Sequence, residues 1–162
     1  MANFFVYIFL FILLYGAICD LISFKIPNYV SICSALLFFP AALWAHWPVI
    51  NILSNTGAGA LILAVGVFAF SFNLIGAGDI KMLAASTVWF GFSGLPSLFF
   101  SVAIIGGVLS LALIVFRRFV LPASWGRANW LVRLHESTGV PYGIAICIGV
   151  VVISPSLLAS GH

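Results

Sequence analysis

No Asp, Glu, Lys or Arg interrupts this chain from Met1 to Cys19, from Ile26 to Gly78, or from Met82 to Phe116. Stretches so long and so free of charge constrain the fold more than any motif does. A soluble domain carries roughly a quarter charged residues. Here charged types make up 6% and apolar types 64% of 162 residues, and mean hydropathy is +1.30. That leaves too little polar surface to cover a water-soluble globule. Soluble enzymes, disordered tails and nucleic-acid modules are excluded. What remains is one compact unit, residues 1–162, embedded in a lipid bilayer, with membrane lipids around it and no nucleic-acid partner.

A hydrocarbon core of about 30 Å needs roughly 20 apolar residues per helix, or somewhat fewer where flanking residues snorkel. Six stretches qualify: Asn3–Ile18, Tyr29–Trp44, Gly57–Ile75, Met82–Phe92, Leu95–Phe116 and Val140–Leu158. The fourth is short unless its helix begins near Gly78. The expected fold is therefore all-α, a polytopic membrane protein of about six transmembrane helices with no internal repeat. Met1–Ile18 lacks a basic flank and a small-residue cleavage site, so it reads as a retained first helix.

Charge placement tests that count. With six spans, Lys25, Lys81, Arg117, Arg118, Arg127 and Arg133 all fall on one side, and the opposite side receives no Lys or Arg. The positive-inside rule makes the basic side cytoplasmic and puts both termini outside. Arg117–Gly139 is the longest polar loop. Within Ser124–Ser137, Trp130, Leu131 and Leu134 share one side while Arg127, Arg133 and Glu136 lie elsewhere, which predicts an amphipathic helix on the cytoplasmic leaflet with Trp125 and Trp130 at headgroup depth. Its simplest role is a tether between the last two spans.

Cys19, Cys33 and Cys147 each sit in apolar sequence with no C-x-x-C pair, so neither a disulfide framework nor a metal site is expected, and no cofactor is implied. They read as small packing residues. His46 and His135 read as interfacial polar groups.

Acidic residues are the scarcest class, and two of three lie at the ends of apolar helices. Asp20 closes the first span and Asp79 opens the fourth in G-A-G-D-I-K, both at the cytoplasmic boundary. An Asp at the centre of a span costs about 2.5–3.5 kcal/mol on insertion scales, and less near the interface. Each could be a helix-end group: Asp79 capping its helix, Asp20 paired with Lys25. Two carboxyls brought together have another use. They share a proton, so that one activates water as a base while the other acts as an acid toward a peptide carbonyl, with no metal or cofactor. Gly76 and Gly78 would let the backbone bend and leave room beside Asp79, and Gly16 would let another helix approach one turn before Asp20. Asp79, Met82, Leu83 and Ser86 share a helix face, which aims the carboxylate into the bundle.

Three elements in order carry a resemblance: Asp20 followed by Lys25-Ile26-Pro27-Asn28, then Gly76-Ala77-Gly78-Asp79-Ile80-Lys81, then Val140-Pro141-Tyr142-Gly143-Ile144-Ala145. Together they resemble the type IV prepilin peptidases, GxGD-class aspartic proteases of the bacterial inner membrane. The resemblance implies that Asp20 and Asp79 are the catalytic pair and that the substrate is a prepilin. Its short basic leader would be cut at the cytoplasmic face, just ahead of a hydrophobic helix. Gly76, Gly78, Lys25, Lys81, Pro27, Asn28, Pro141 and Tyr142 fall at supporting positions. Pro27 and Asn28 start the second span, Lys25 and Lys81 anchor helix ends at headgroups, Tyr142 is placed to orient a carboxyl group or the substrate, and Asn73 lies near the G-A-G-D bend.

Larger members of that family carry a cytoplasmic insert with paired C-x-x-C motifs and an N-methyltransferase activity. Here only Leu21–Asn28 separates the first two spans. The chain is thus similar to the short, peptidase-only CpaA/TadV-like members associated with Flp pili, and methylation is expected to be absent. Two other readings compete. One is a small proton- or cation-coupled transporter using the aspartates, although transport sites sit nearer the midplane between repeat halves. The other is a non-catalytic pilus-assembly subunit.

Overall fold

A computed structural model describes residues 2–118, 134–135 and 139–159. Among them every regular element is helical: α1 Ala2–Ser23, α2 Asn28–Trp44, α3 Val49–Ser71, α4 Ala77–Phe116, α5 Tyr142–Ile153 and the short α6 Pro155–Ala159. Helix is what apolar sequence requires where no water is present to satisfy backbone N–H and C=O groups. The helices start without side-chain caps. Pro27, Pro48 and Pro141 precede α2, α3 and α5, and Gly76 precedes α4. Proline suits such positions because it gives up an N–H that has no partner there. Three helices stop at residues in the left-handed region, Phe24 (φ 54°) after α1, His46 (φ 53°) after α2 and Asn73 (φ 55°) after α3. Asn73 thus ends its helix and stands exposed.

α4 is not one rod. At Gly91 the backbone turns to φ 61° and ψ −167°, a region essentially confined to glycine. The two legs on either side run in opposite directions. The first begins beside α1 and α2 at the end of the bundle that holds Asp20. The second returns there, where Arg117 Nε donates to Leu134 O at 3.0 Å and Nη2 donates to Gly139 O. The expected spans put this turn between Phe92 and Leu95. A residue that can adopt the required φ decides its position instead.

Counting the legs separately, the described residues pass along the bundle six times, in the order expected from hydropathy. Three helices are long and apolar enough to cross a membrane: α1 from Asn3, α3 and α4. The helices α2 and α5 are apolar but shorter. Phe11, Leu43, Ile50, Phe68, Phe100 and Val108 are exposed on the outside. So continuous an apolar exterior belongs in lipid rather than water. This is a membrane protein.

The interior is held by tight seams. On α3, Gly59 packs against Val88 and Gly66 against Ile80, which brings the α3 and α4 backbones close along two turns. On α1, a side chain at Gly16 would lie 2.7 Å from Val30 Cγ1, so α2 fills that space. Phe9 stacks on Trp89 with centroids 4.4 Å apart, and Trp89 Nε1 donates to Ser34 O at 2.9 Å. One indole thereby joins α1, α2 and the first leg of α4. Burying an aromatic pair adds about 0.5–1.5 kcal/mol beyond its area. α5 lies between α1 and the second leg of α4, with Gly149 against Val102 and Gly106 against the ring of Tyr142.

The amphipathic helix expected over Ser124–Ser137 lies outside the described residues, apart from Leu134 and His135. His135 sits edge-on to Phe116 at 5.8 Å. The three cysteines are free thiols.

Candidate active site at one end of the bundle

Asp20 lies in the last turns of α1, which continues past the expected end at Ile18 to Ser23. Only 5% of Asp20 is exposed. Its Oδ2 accepts a hydrogen bond of 2.8 Å from the backbone N–H of Gly143, the second residue of α5. An anion at a helix N-terminus meets both a free N–H and the positive end of the helix dipole. The hydrogen bond on Asp20 thus comes from Gly143 rather than from Lys25, whose side chain is exposed.

Asp79 sits in the first turn of α4, half-buried, where G-A-G opens the helix. It forms no cap hydrogen bond. Its Oδ2 lies over Gly76, 2.8 Å from where a side chain would begin. Met82 and Ser86 on the same face are fully buried, so the helix presents Asp79 inward. Asp79 stands at the same end of the bundle as Asp20, because α1 and the first leg of α4 touch through Phe9–Trp89 and through Met82 Sδ beside Gly16, about one turn from each aspartate.

A third residue links the two segments. A side chain at Gly78 would lie 3.2 Å from Ile26 Cβ, and one at Gly143 would lie 3.1 Å from Ile26 Cδ1. Ile26 therefore stands as a wedge between the segment that carries Asp79 and the helix end that holds Asp20. Its loop is strained. Phe24 has φ 54°, a genuine outlier for an aromatic residue. It is held there by a 2.8 Å hydrogen bond from its N–H to Asp20 O. Such strain persists only where the surroundings enforce it. Neither Gly76 (φ −68°) nor Gly78 needs a glycine-only backbone conformation. Both serve by leaving room. At Gly78 the room is taken by Ile26 rather than by a substrate strand or another helix.

The other predicted supporting residues separate into two groups. Lys81 Nζ donates to Asn28 Oδ1 at 2.9 Å, which ties the start of α2 to the first turns of α4 beside Asp79. Pro27 precedes α2 and buried Pro141 precedes α5, so each sets the start of a helix at this end. Tyr142 points away. Its ring leans on Gly106 in the second leg of α4, and it is 40% exposed. Lys25 enters only through its carbonyl, which accepts from Ser23 Oγ at 3.3 Å. Gly143 and Ile26 were not among the predicted site residues. The signal for Gly143 was in the sequence, as a glycine directly after Pro141-Tyr142 in a helix start. Among the described residues no three His, Cys, Asp or Glu side chains come together.

The profile of the type IV leader peptidase family matches residues 7–111, well over half of the chain. The chain belongs to the type IV leader peptidase family. The matched region runs from α1 into the second leg of α4 and includes both Asp20 and Asp79. It stops short of α5, so the contact of Gly143 with Asp20 is a feature the fold adds to the family match. No curated protein and no solved structure matches the chain. Family membership implies a hydrolase, a leader peptidase-like protease in general terms.

Proposed function

We propose that this chain is a membrane aspartic endopeptidase that removes the leader from type IV prepilins of the Flp type, at the cytoplasmic face of the bacterial inner membrane. Asp20 and Asp79 form its catalytic pair. The observation that carries this reading is their meeting at one end of the bundle from helices nearly sixty positions apart, with Asp20 held by Gly143. One carboxylate takes a proton from water as the water oxygen attacks the scissile carbonyl carbon. The other carboxyl, protonated, gives its proton to the carbonyl oxygen. The tetrahedral intermediate collapses as the C–N bond breaks and the leaving nitrogen takes up a proton. Low dielectric around the pair strengthens each of these interactions.

The basic residues support a cytoplasmic site. Lys81 and Arg117 lie at the same end as the aspartates through their contacts with Asn28 and Gly139. With six crossings both termini fall outside. The short Phe24–Pro27 connection and the lack of a C-x-x-C pair in the sequence support the peptidase-only, Flp-type assignment. The test is direct. The purified chain in lipid vesicles is incubated with an Flp-type prepilin, and the products are mapped by mass spectrometry. One cut at the leader boundary is expected, with no methyl group added to the new N-terminus. An intact precursor would refute the reading.

A further inference from the structure

Arg117 is the first residue after the second leg of α4, at the end of the bundle that holds the aspartates. A basic residue at a cytoplasmic helix end serves most simply as an anchor among lipid headgroups. Its exposed neighbour Arg118 fits that description. Arg117 does not. It is half-buried, and its guanidinium turns back onto the protein, where Nε donates to Leu134 O at 3.0 Å and Nη2 donates to Gly139 O. One planar group thus gathers two backbone carbonyls. Leu134 is itself buried, so the segment is packed down where it is gripped. Gly139 also meets the ring of Phe24, which a side chain placed there would approach to 3.7 Å, and the Phe24 N–H donates to Asp20 O. From Gly139 the chain reaches α5 through Pro141, which is fully buried and has its φ fixed by its own ring at −73°. Two residues later the Gly143 N–H donates to Asp20 Oδ2 at 2.8 Å. So short and constrained a connection carries a shift of Gly139 on to Gly143.

We propose that Arg117 is a positioning residue for the aspartates: by gathering the carbonyls of Leu134 and Gly139 it fixes the start of α5, and through it the N–H that holds Asp20. The proposal rests on the peptidase reading and adds a residue to its machinery. Arg117 and α5 both lie beyond the region of the family match, which ends at residue 111. Two features suit Arg117 to the task. A guanidinium carries its donors in a rigid fork, so it sets the spacing of two acceptors as well as attracting them. An ammonium is a point charge on a flexible stem and does not. The second feature is direction. The seams of Gly106 with Tyr142 and Gly149 with Val102 hold α5 against the second leg of α4, but apolar contact is non-directional and leaves the position along the helix axis loosely set. The hydrogen bonds of Arg117 set it, from a helix leg that carries neither aspartate.

The test compares the full chain with Arg117→Ala, Arg117→Lys and Arg118→Ala in lipid vesicles. Two quantities are read: steady-state cleavage of a prepilin, and hydrogen exchange by mass spectrometry in the peptide that carries Gly143. Arg117→Ala is expected to lower kcat about tenfold with KM within about twofold, and to speed exchange around Gly143 about tenfold. Arg117→Lys keeps the charge without the fork and is expected to show both effects at about threefold. It carries the test if Arg117→Ala does not fold. Arg118→Ala removes the same charge one residue away and is expected to match the parent in both readouts. Combining Arg117→Ala with Gly143→Ala is expected to be no worse than Gly143→Ala alone, because both act on one hydrogen bond. Parental behaviour of Arg117→Lys in both readouts overturns the proposal, since charge alone would then suffice. Equal losses in Arg117→Ala and Arg118→Ala overturn it, as does a fall in cleavage with exchange around Gly143 unchanged. A parent protein that cleaves no prepilin defeats the peptidase reading instead, and the exchange comparison then still decides whether Arg117 holds the start of α5.

Discussion

Replacing Gly143 by Ala perturbs the site at its most tightly specified point. The new methyl would lie 2.9 Å from Asp20 Oδ2, 3.0 Å from Asp20 Cβ and 3.1 Å from Ile26 Cδ1. None of these neighbours can retreat cheaply. Asp20 is buried on α1 and bonded to the Gly143 N–H, and Ile26 is pinned against Gly78. Overpacking of this kind costs about 1–3 kcal/mol. If it is relieved by moving the Asp20 carboxyl, the hydrogen bond from Gly143 is lengthened or lost, and a bond to a charged group contributes about 1.5–3 kcal/mol. Expressed on the reaction barrier at about 1.4 kcal/mol per tenfold, the smaller of these figures already predicts roughly a tenfold fall in kcat, and the larger about a hundredfold. The assay is cleavage of a prepilin in vesicles under saturating substrate, with size-exclusion chromatography to confirm the fold. Gly107→Ala is the control, since nothing lies within 4 Å of a side chain placed there. Cleavage by the Gly143→Ala variant within twofold of the parent would refute the claim that α5 positions Asp20.

Other outcomes follow from the same geometry. Ile26→Ala removes the wedge and is expected to lower kcat about tenfold with little change in KM, while the volume-conserving Ile26→Leu retains most of the rate; steady-state kinetics on both variants decides it. Gly91→Ala forces a side chain into a positive-φ reversal and against Asn55, and is expected to lower stability by about 1–3 kcal/mol or more, read as a drop in Tm in detergent. Lys81→Ala breaks an exposed hydrogen bond to Asn28 and is expected to cost no more than about 1 kcal/mol of stability, checked by the same melt. Cleavage is expected to continue in the presence of a chelator, and a loss reversed by added metal would contradict the carboxyl-pair mechanism.

Much of this was legible in the sequence because the relevant signals belong to side chains. In so apolar a chain a carboxyl group stands out, so scarcity and helix-end position singled out Asp20 and Asp79 as candidates, and the family resemblance supplied the catalytic pairing that is proposed for them. The helical fold and the number of passes were legible for a similar reason, since hydropathy and the placement of six basic residues constrain each other. What escaped was the work done by backbone and by packing. The N–H of Gly143 carries no side-chain signature, and its partner lies over a hundred positions away. Ile26 reads as one more apolar residue, yet it contacts both segments that carry or hold an aspartate. The glycines before Asp79 were read as supplying both a bend and room; their backbone is ordinary, and room is what they supply. Tyr142 shows the converse error. An aromatic hydroxyl beside a functional stretch suggests a role at the site, but its helix start turns the ring toward Gly106.

The central claim is that Asp20 and Asp79 act as one unit. Single-turnover cleavage of a prepilin by Asp20→Asn, Asp79→Asn and the double variant tests it most directly, each protein being shown to keep its fold by chromatography. The account predicts that each single variant loses nearly all activity and that the double variant is no worse than either, because groups that act together are not additive. Cleavage by either single variant at the parental rate would contradict it.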